Sequence, residues 1–334
     1  MNIDRKSYLP SADWDVLRAR AGILRAVRAF FDGRVFLEVE TPIASADTVV
    51  DRHLDPLTTT LTGIGPARVM YLQTSPEFAM KRLMVAGGEA IYQIARVFRQ
   101  GERGTRHNPE FTLVEWYRRG DDYASGMRLL SELCEAVLGR GPAERVTYRE
   151  AFRTELGIDP LTIGDAELQR FARETLPDAA AAFDDDTDRD AWLDLLLTER
   201  IEPRLGRAGS NGEGRPTILC DYPPSQAALA QIRPCADGPS VAERFELYVD
   251  GIELANGYHE LLDAEALLER NVENNRLRVA DGKPPLPVES RLIEAMCAGL
   301  PPCTGCALGF DRLVMLATGR RDIAEVMAFP IERA

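Results

Sequence analysis

The sequence predicts an α+β fold, on three observations. Stretches with helical period and stretches with strand period follow one another along the chain. Two segments, 97–117 and 243–261, read as strand–turn–strand units. The 334 residues, 45% of them hydrophobic, suffice for one large domain or two smaller ones.

The first helix spans 13–32. Leu17, Ala21, Leu24, Val27 and Phe31 recur at helical spacing, with arginines on the other side. Ser11 is the candidate N-cap, Asp13 and Asp15 suit the first turn, and Gly33 closes the helix. A short strand over 35–39 follows, and Pro42 ends it. Residues 69–73 read as a strand. Thr74-Ser75-Pro76-Glu77 then starts a helix over 76–86, because proline in the first turn after Ser or Thr favours a helix start. Glu77 lies in that first turn, where the helix dipole favours an acid. A helix over 123–138 precedes a polar, acidic, weakly patterned stretch at 146–186. We read that stretch as short helices in a peripheral insertion near 146–210. A helix over 191–201, a glycine-rich loop at 207–215 and a strand over 217–221 come next. Beyond the second strand–turn–strand unit, 263–281 and 310–317 read as helices.

The formal net charge is −13. An acidic chain is a poor general binder of nucleic acid, whose grip depends on neutralising phosphates. Local basic patches can still hold a nucleotide. No apolar run approaches the ~20 residues that span a bilayer, and the opening MNIDRKSYLPSADWD lacks a signal peptide's apolar segment. The expectation is a cytoplasmic protein with no membrane partner. Cys303 and Cys306 form a CxxC with Cys297 upstream, but no second CxxC exists and the histidines are far away in sequence. The pattern reads as reduced thiols rather than a zinc site.

In 97–117, the loop between the strands carries Arg99, Arg103 and Arg106 among glycines and a proline. It reads as a mobile cationic flap on a rigid hairpin, suited to phosphate oxygens. Period 2 puts Phe111, Leu113, Glu115 and Tyr117 on one strand face, and Thr112, Val114 and Trp116 on the other. A ring, a carboxylate and a phenol beside a basic flap suit a nucleotide and a cationic small substrate. The competing reading is a solvated hairpin.

In 243–261, Asp250-Gly251 predicts a type I′ turn. A two-residue loop sets Val249 opposite Ile252 and Tyr248 opposite Glu253. Phe245, Leu247, Val249, Ile252 and Leu254 then share the core face, and Glu246, Tyr248, Glu253 and Ala255 the other. Glu246 and Glu253 become diagonal neighbours with no Lys or Arg interleaved. Magnesium between these acids and a nucleotide phosphate would relieve their repulsion; a solvated acidic face is the alternative. Asn256, Tyr258 and Glu260 follow at an odd spacing from Glu253. Glu253 and Asn256 reach one pocket only if the strand bulges or twists near 255–257, which Gly257 permits. Gly309 allows a close backbone approach to a ligand, and Arg312 at the next helix start makes a cationic corner.

Together these stretches resemble the class II aminoacyl-tRNA synthetase catalytic domain, an antiparallel sheet flanked by helices. The long helix with FLEVETP looks like motif 1, a dimer element, FRQGERGTRHNPEF like motif 2, and GCALGFDRL like motif 3. The similarity is strongest to lysyl-tRNA synthetases, through TSPEFAMKRL, RHNPEFTLVEWY, RFELYVDGIELANGYHEL and ALGFDRLVM. It covers nearly the whole chain from about residue 13. So few residues precede the first helix that an anticodon-binding domain is expected to be absent. Residues 1–334 are then one catalytic domain, resembling the stand-alone elongation factor P–(R)-β-lysine ligase family. That resemblance implies activation of (R)-β-lysine by ATP, transfer to a lysine ε-amine of elongation factor P, a homodimer, and no tRNA substrate.

The resemblance also implies roles, position by position. Arg99 matches the arginine on the α-phosphate, where it would stabilise transition-state charge, with Gln100, Gly101 and Glu102 beside it. His107 and Asn108 match flap residues near ATP, and Phe111 the ring stacked on adenine. Glu246, with Leu247 beside it, and Glu253 match the region that holds magnesium and ATP. Gly309 and Arg312 match further ATP contacts, Arg312 at the γ-phosphate; Arg99 and Arg312 are the catalytic pair. Ser75, Pro76, Glu77, Glu115, Tyr117, Glu253, Asn256, Tyr258 and Glu260 match the amino-acid pocket, with Ala307 on its floor. Glu77 would take one amino group, and Tyr117 with Glu260 the other, since a buried ammonium without a partner is costly. Two departures stand out. The motif 2 acid, Glu102, comes one residue later than usual, and Ala307 replaces the glycine usual in lysyl-tRNA synthetases. Two rival functions remain: a truncated synthetase acting on tRNA or another acceptor, and a catalytically inactive regulatory subunit.

Overall fold

Residues 8–63, 65–207, 214–236 and 238–334 are described by a computed structural model. The chain divides into two compact units. The described residues of Met1–Asp122, with Ala136–Leu138 and Leu261–Ala334, form the first; Tyr123–Glu135 and Gly139–Glu260 form the second.

The first unit opens with α1 (Trp14–Asp32), β1 (Leu37–Glu38), β2 (Ala44–Ser45), β3 (Thr58–Leu61), β4 (Arg68–Leu72), α2 (Glu77–Val85), β5 (Ala90–Phe98) and β6 (Glu110–Arg119). Asp13, not Ser11, caps α1: its Oδ1 accepts the Val16 N–H at 2.8 Å, whereas the Ser11 N–H goes to Ala328 O. Of the expected strand at 35–39 only Leu37–Glu38 pairs, parallel with β5, because Val35 turns away at φ +61. α1 buries Val16, Val27, Phe30 and Phe31. Phe31 stacks on Tyr92 at 4.5 Å and meets Trp116 at 5.4 Å. Burying rings of this size contributes about 1.5–3 kcal/mol each, which fixes the face of β6 that turns to α1. Glu115 and Tyr117 therefore point the other way, as period 2 predicts.

The second unit holds α3 (Tyr123–Leu138, whose last three residues belong to the first unit), β7 (Glu144–Thr147), α4 (Tyr148–Leu156), α5 (Asp165–Thr175), α6 (Pro177–Ala180), α7 (Arg189–Leu196), β8 (Thr217–Tyr222), β9 (Ile232–Cys235), β10 (Gly238–Val249) and β11 (Ile252–His259). Its strands run β11-β10-β8-β7, with β9 also on β10. The weakly patterned stretch has a core of its own: Tyr148, Phe152, Leu168, Ala172, Trp192 and Leu196 are buried together with Leu219 and Tyr248. α7 begins two residues earlier than expected, capped by Asp188, and loosens into a π-turn at Leu197–Ile201. Positions 208–213 of the glycine-rich loop lie outside the described residues.

The β10–β11 hairpin turns through Asp250 at φ +53 and Gly251 at φ +75, both left-handed as a type I′ turn requires. Val249 opposes Ile252 and Tyr248 opposes Glu253, as predicted. The register then slips: Leu247 opposes Ala255 and Glu246 opposes Asn256. Leu254 is the extra residue of a bulge. Ala255 therefore joins Leu247 on the core side, contrary to the regular alternation.

The chain returns to the first unit as α8 (Ala264–Ala280), α9 (Arg291–Gly299), β12 (Cys303–Gly309) and α10 (Phe310–Thr318). β12 runs antiparallel to β6, with Ala307 opposite Glu115 and Gly309 opposite Leu113. The main sheet of this unit is thus β1-β5-β6-β12, beside a small sheet β2-β4-β3. Among the described residues no helix is long and apolar enough to cross a membrane.

Candidate active site

In the first unit, β5 and β6 pair from Ala90–Arg118 to Phe98–Glu110. They carry the loop 99–109 between their ends. The Arg99 guanidinium lies 5.1 Å from the Phe111 ring centre, donates to Thr74 O at 3.2 Å, and meets Glu102 at 3.3 Å. Glu102 does reach Arg99 despite its shifted position, because Gly101 turns at φ +84. No atom lies within 4 Å of where a Gly101 side chain would begin, so the turn itself is what needs glycine. Gln100 is exposed and donates its backbone N–H to Asp55 O.

Arg312, at the start of α10, has Nη2 2.7 Å from His107 Nε2. Its neighbour Asp311 faces inward. Asp311 Oδ1 is 2.6 Å from Arg20 Nη1, and Oδ2 accepts the Thr112 N–H at 2.7 Å. One buried carboxylate thereby ties α1, β6 and α10 together, next to Phe111 and Arg312. Asn108 is buried and its side-chain amide is used on both sides. Nδ2 donates to Glu110 O at 2.6 Å, and Oδ1 accepts the Ile331 N–H at 3.0 Å. Two guanidiniums, a ring and an open turn form a donor set that fits a nucleotide polyphosphate.

Behind the loop lies a buried polar cluster. Glu115 accepts from Ser75 Oγ at 2.8 Å and from the Tyr117 hydroxyl at 2.7 Å. Pro76 precedes α2, and Ser75 Oγ accepts the Glu77 N–H at 3.0 Å. Glu77 is not a surface acid: it pairs with the buried Lys81 at 2.5 Å, one helical turn on. Burial, and then the Glu77 charge, push the Glu115 carboxyl up to about 7, against its two hydroxyl donors and Lys81. Lys81 was missed in the sequence analysis, although its spacing of four from Glu77 is visible there.

In the second unit, the bulge at Leu254 brings Glu253, Asn256 and Tyr258 opposite Tyr248, Glu246 and Arg244. The strand does bulge, as the odd spacing allowed, but at Leu254, one residue before the expected 255–257 and without a left-handed Gly257. No Lys or Arg stands between Glu246 and Glu253 on this face, but a cation flanks them. Arg244, two residues before Glu246, puts Nη2 2.5 Å from Glu246 Oε1 and lies 4.5 Å from the Tyr222 ring centre. The predicted face began at Glu246, two residues too late to include it. Tyr248 is 2.6 Å from Glu246 Oε2 and 3.1 Å from Glu202 Oε1. Glu202 is raised to about 7 by burial, then by Glu246 and Glu253. It comes from a distant turn and gave no local signal.

Leu247 is fully buried and flanked by strands on both sides, so its side chain belongs to the core. Asn256 donates to the Tyr258 hydroxyl at 3.1 Å, and Glu260 is buried with its carbonyl accepting from Gln231. Among the described residues no group of three or more His, Cys, Asp or Glu side chains would hold a metal unaided. Glu246 and Glu253 do offer hard oxygen donors of the kind magnesium takes, with the remaining ligands left to phosphate and water.

Curated relatives carry the name elongation factor P–(R)-β-lysine ligase. Those of Salmonella paratyphi B and Salmonella schwarzengrund are each 45% identical over 330 residues, covering 98% of both chains. The one of Salmonella dublin is 44% identical over the same share. Residues 11–333 match the family described as tRNA synthetases class II (D, K and N). The chain belongs to that family of class II tRNA synthetases.

Proposed function

We propose that this protein is an ATP-dependent ligase that joins (R)-β-lysine to a lysine ε-amine of elongation factor P. The observation that carries this is the 45% identity to ligases of that name over 98% of both chains. Residues 1–334 are read as one catalytic domain, with 146–210 an insertion in it.

The β-lysine carboxylate attacks the α-phosphorus of ATP, pyrophosphate leaves, and an aminoacyl-adenylate forms. The acceptor amine then attacks the acyl carbon and releases AMP. No protein nucleophile is needed; positioning and charge neutralisation do the work. Arg99 neutralises the α-phosphate and Arg312 the γ-phosphate, with Gln100, Gly101, Glu102, His107 and Gly309 shaping the nucleotide contacts. A direct contact from Asn108 would use its backbone, since its amide is engaged. Leu247 would likewise act through its backbone beside Glu246. Phe111 stacks on adenine. Glu115, between Ser75 and Tyr117, takes a substrate ammonium, with Pro76 setting the turn and Ala307 the floor. Glu77 offers its second oxygen to the other amine, its first being held by Lys81. Glu253, Asn256, Tyr258 and Glu260 are further amino-acid contacts.

Glu246 and Glu253 would hold Mg2+, which supplies charge neutralisation to the phosphates. The face of α1 that leaves Trp14 69% exposed, with Leu37 65% exposed beyond it, suits a homodimer contact. We place the enzyme in the cytoplasm, where its protein substrate would be, and expect no tRNA substrate. The deciding experiment supplies labelled (R)-β-lysine and ATP with either elongation factor P or tRNA. Label on the protein alone is expected; label on tRNA alone would establish the truncated-synthetase reading instead.

A further inference from the structure

Within the first unit, residues 323–332 lie against the loop that carries Arg99, Glu102 and His107. Three contacts join them. The Ile323 N–H donates to Thr105 O at 2.8 Å. The Ile331 N–H donates to Asn108 Oδ1 at 3.0 Å. Arg103 Nε lies 2.7 Å from Glu332 Oε1. The segment is itself fastened to the lead-in of α1, through Ala12 N–H to Met327 O at 3.1 Å and Ser11 N–H to Ala328 O at 2.8 Å. Within the segment, Val326 is fully buried. Asn108 completes the link, because its other amide end holds Glu110 O, at the first residue of β6. The sequence suggests a mobile flap; these contacts pin it at Arg103, Thr105 and Asn108.

The three contacts are unequal. Arg103 and Glu332 are 69% and 45% exposed, and an exposed ion pair contributes little. The Ile331 bond reaches a buried amide oxygen, and removing its donor leaves that oxygen unsatisfied. We propose that residues 323–332 are a strap that holds the 99–109 loop in its nucleotide-binding shape, with the Ile331 N–H as its positioning donor. The nucleotide half rests on the function proposed above; the strap itself does not.

The structure supplies a clean variant. The Arg333 N–H donates to Pro330 O at 2.7 Å, closing a turn with Ile331 in its second position. Proline is favoured there, so Ile331→Pro removes the N–H and leaves the turn. Ile331→Ala keeps the N–H and is the control. Hydrogen exchange by mass spectrometry on the full chain without nucleotide reads the strap directly. Ile331→Pro is expected to speed exchange in 100–108 by roughly two- to tenfold, the worth of one hydrogen bond, and to leave 90–98 and 112–118 unchanged. In pyrophosphate exchange, the KM for ATP rises by a similar factor while the KM for (R)-β-lysine stays put. Wild-type exchange in the proline variant, or equal acceleration in the alanine variant, overturns the strap. Faster exchange with an unchanged KM for ATP overturns its nucleotide role. A wild-type protein that exchanges no pyrophosphate with (R)-β-lysine defeats the proposed function, and hydrogen exchange still decides the strap.

Discussion

Glu77 in the first unit and Glu246 in the second are each buried with a cation 2.5 Å away, but the cations differ. Lys81 is a compact point charge one helical turn from Glu77. Arg244 is planar and permanently charged; it lies over the Tyr222 ring and donates to Gln226 O at 2.9 Å as well. The neighbouring acids differ too. Glu115 receives a hydroxyl donor on each oxygen, so its ionised form is already provided for. Glu202 faces the single Tyr248 hydroxyl together with Glu246, and burial with the Glu246 and Glu253 charges holds Glu202 up at about 7. Each cluster thus holds one carboxyl up at about 7, but Glu115 has two hydroxyl donors to itself while Glu202 divides one with Glu246.

The comparison breaks most visibly in stability. Arg244→Met strands Glu246 among buried groups, and breaking such a pair costs about 3–5 kcal/mol. Lys81→Met is expected to cost less, since a flexible ammonium on Glu77 is replaced rather than a planar guanidinium that also holds Gln226 O. Urea unfolding of both variants reads the difference; equal losses would show that the extra Arg244 contacts contribute nothing. Arg99→Ala provides the opposite case. Arg99 is half-buried at the rim of the loop, and its removal should leave the unfolding midpoint in place while lowering pyrophosphate exchange by ~100–1,000-fold. Near-normal exchange would remove Arg99 from the mechanism.

Both clusters were partly legible in the sequence, for reasons that local patterning explains. Period 2 placed Glu115 and Tyr117 together, and the Asp250-Gly251 turn fixed the hairpin register at its closed end. The odd step from Glu253 to Asn256 pointed to a bulge or a twist nearby, and the bulge is at Leu254. What stayed hidden is long-range. Nothing near Glu202 in sequence points to Tyr248, and nothing in α1 points Arg20 at Asp311. The core around Trp192 was unreadable because its residues come from short helices, whose apolar faces are too brief to show a period. The two resident cations were a different kind of miss. Lys81 and Arg244 stand at ordinary spacings of four and two from their acids, spacings that solvated surface charges share, so sequence alone does not mark them as buried partners.

The charge of the first cluster can be read by pH. Groups facing Glu115 are Glu77 and Lys81 from α2, Ser75 before it, Tyr117 on β6, the uncharged Gln93 opposite on β5, and Ala307 on β12. A bound ammonium needs the ionised carboxylate. With Glu115 near 7, the KM for the diamino acid should fall as pH rises through 7, by about tenfold per unit on the acid side. Stability of the empty protein should run the other way. A carboxyl raised in the folded state stabilises it at acid pH, and that contribution is lost as pH rises from the usual carboxylate range through 7. Glu115→Gln should flatten both trends. A KM that stays level from about pH 6 to 8 in the parent enzyme would detach Glu115 from substrate charge.

The smallest expected effect is the most specific. Ala307 lies opposite Glu115 across the β6–β12 pair, so its methyl group stands beside the carboxylate proposed to receive the ammonium. Moving a substrate amino group by one carbon changes its distance to the acids around it. Losing one charge-assisted hydrogen bond in the process is worth ~1.5–3 kcal/mol, or roughly ten- to a hundredfold. The parent enzyme should therefore favour (R)-β-lysine over α-lysine in pyrophosphate exchange. Ala307→Gly removes only the methyl, at a position where β12 is half-buried and held in register by β6. It should narrow the preference by several-fold without touching the pH profile, because Ser75, Tyr117, Glu77 and Lys81 all remain in place around Glu115. Equal kcat/KM for the two isomers in the parent would refute the specificity argument. A glycine variant that also shifts the pH profile would show that the methyl acts on the charge of Glu115 rather than on the shape of the pocket.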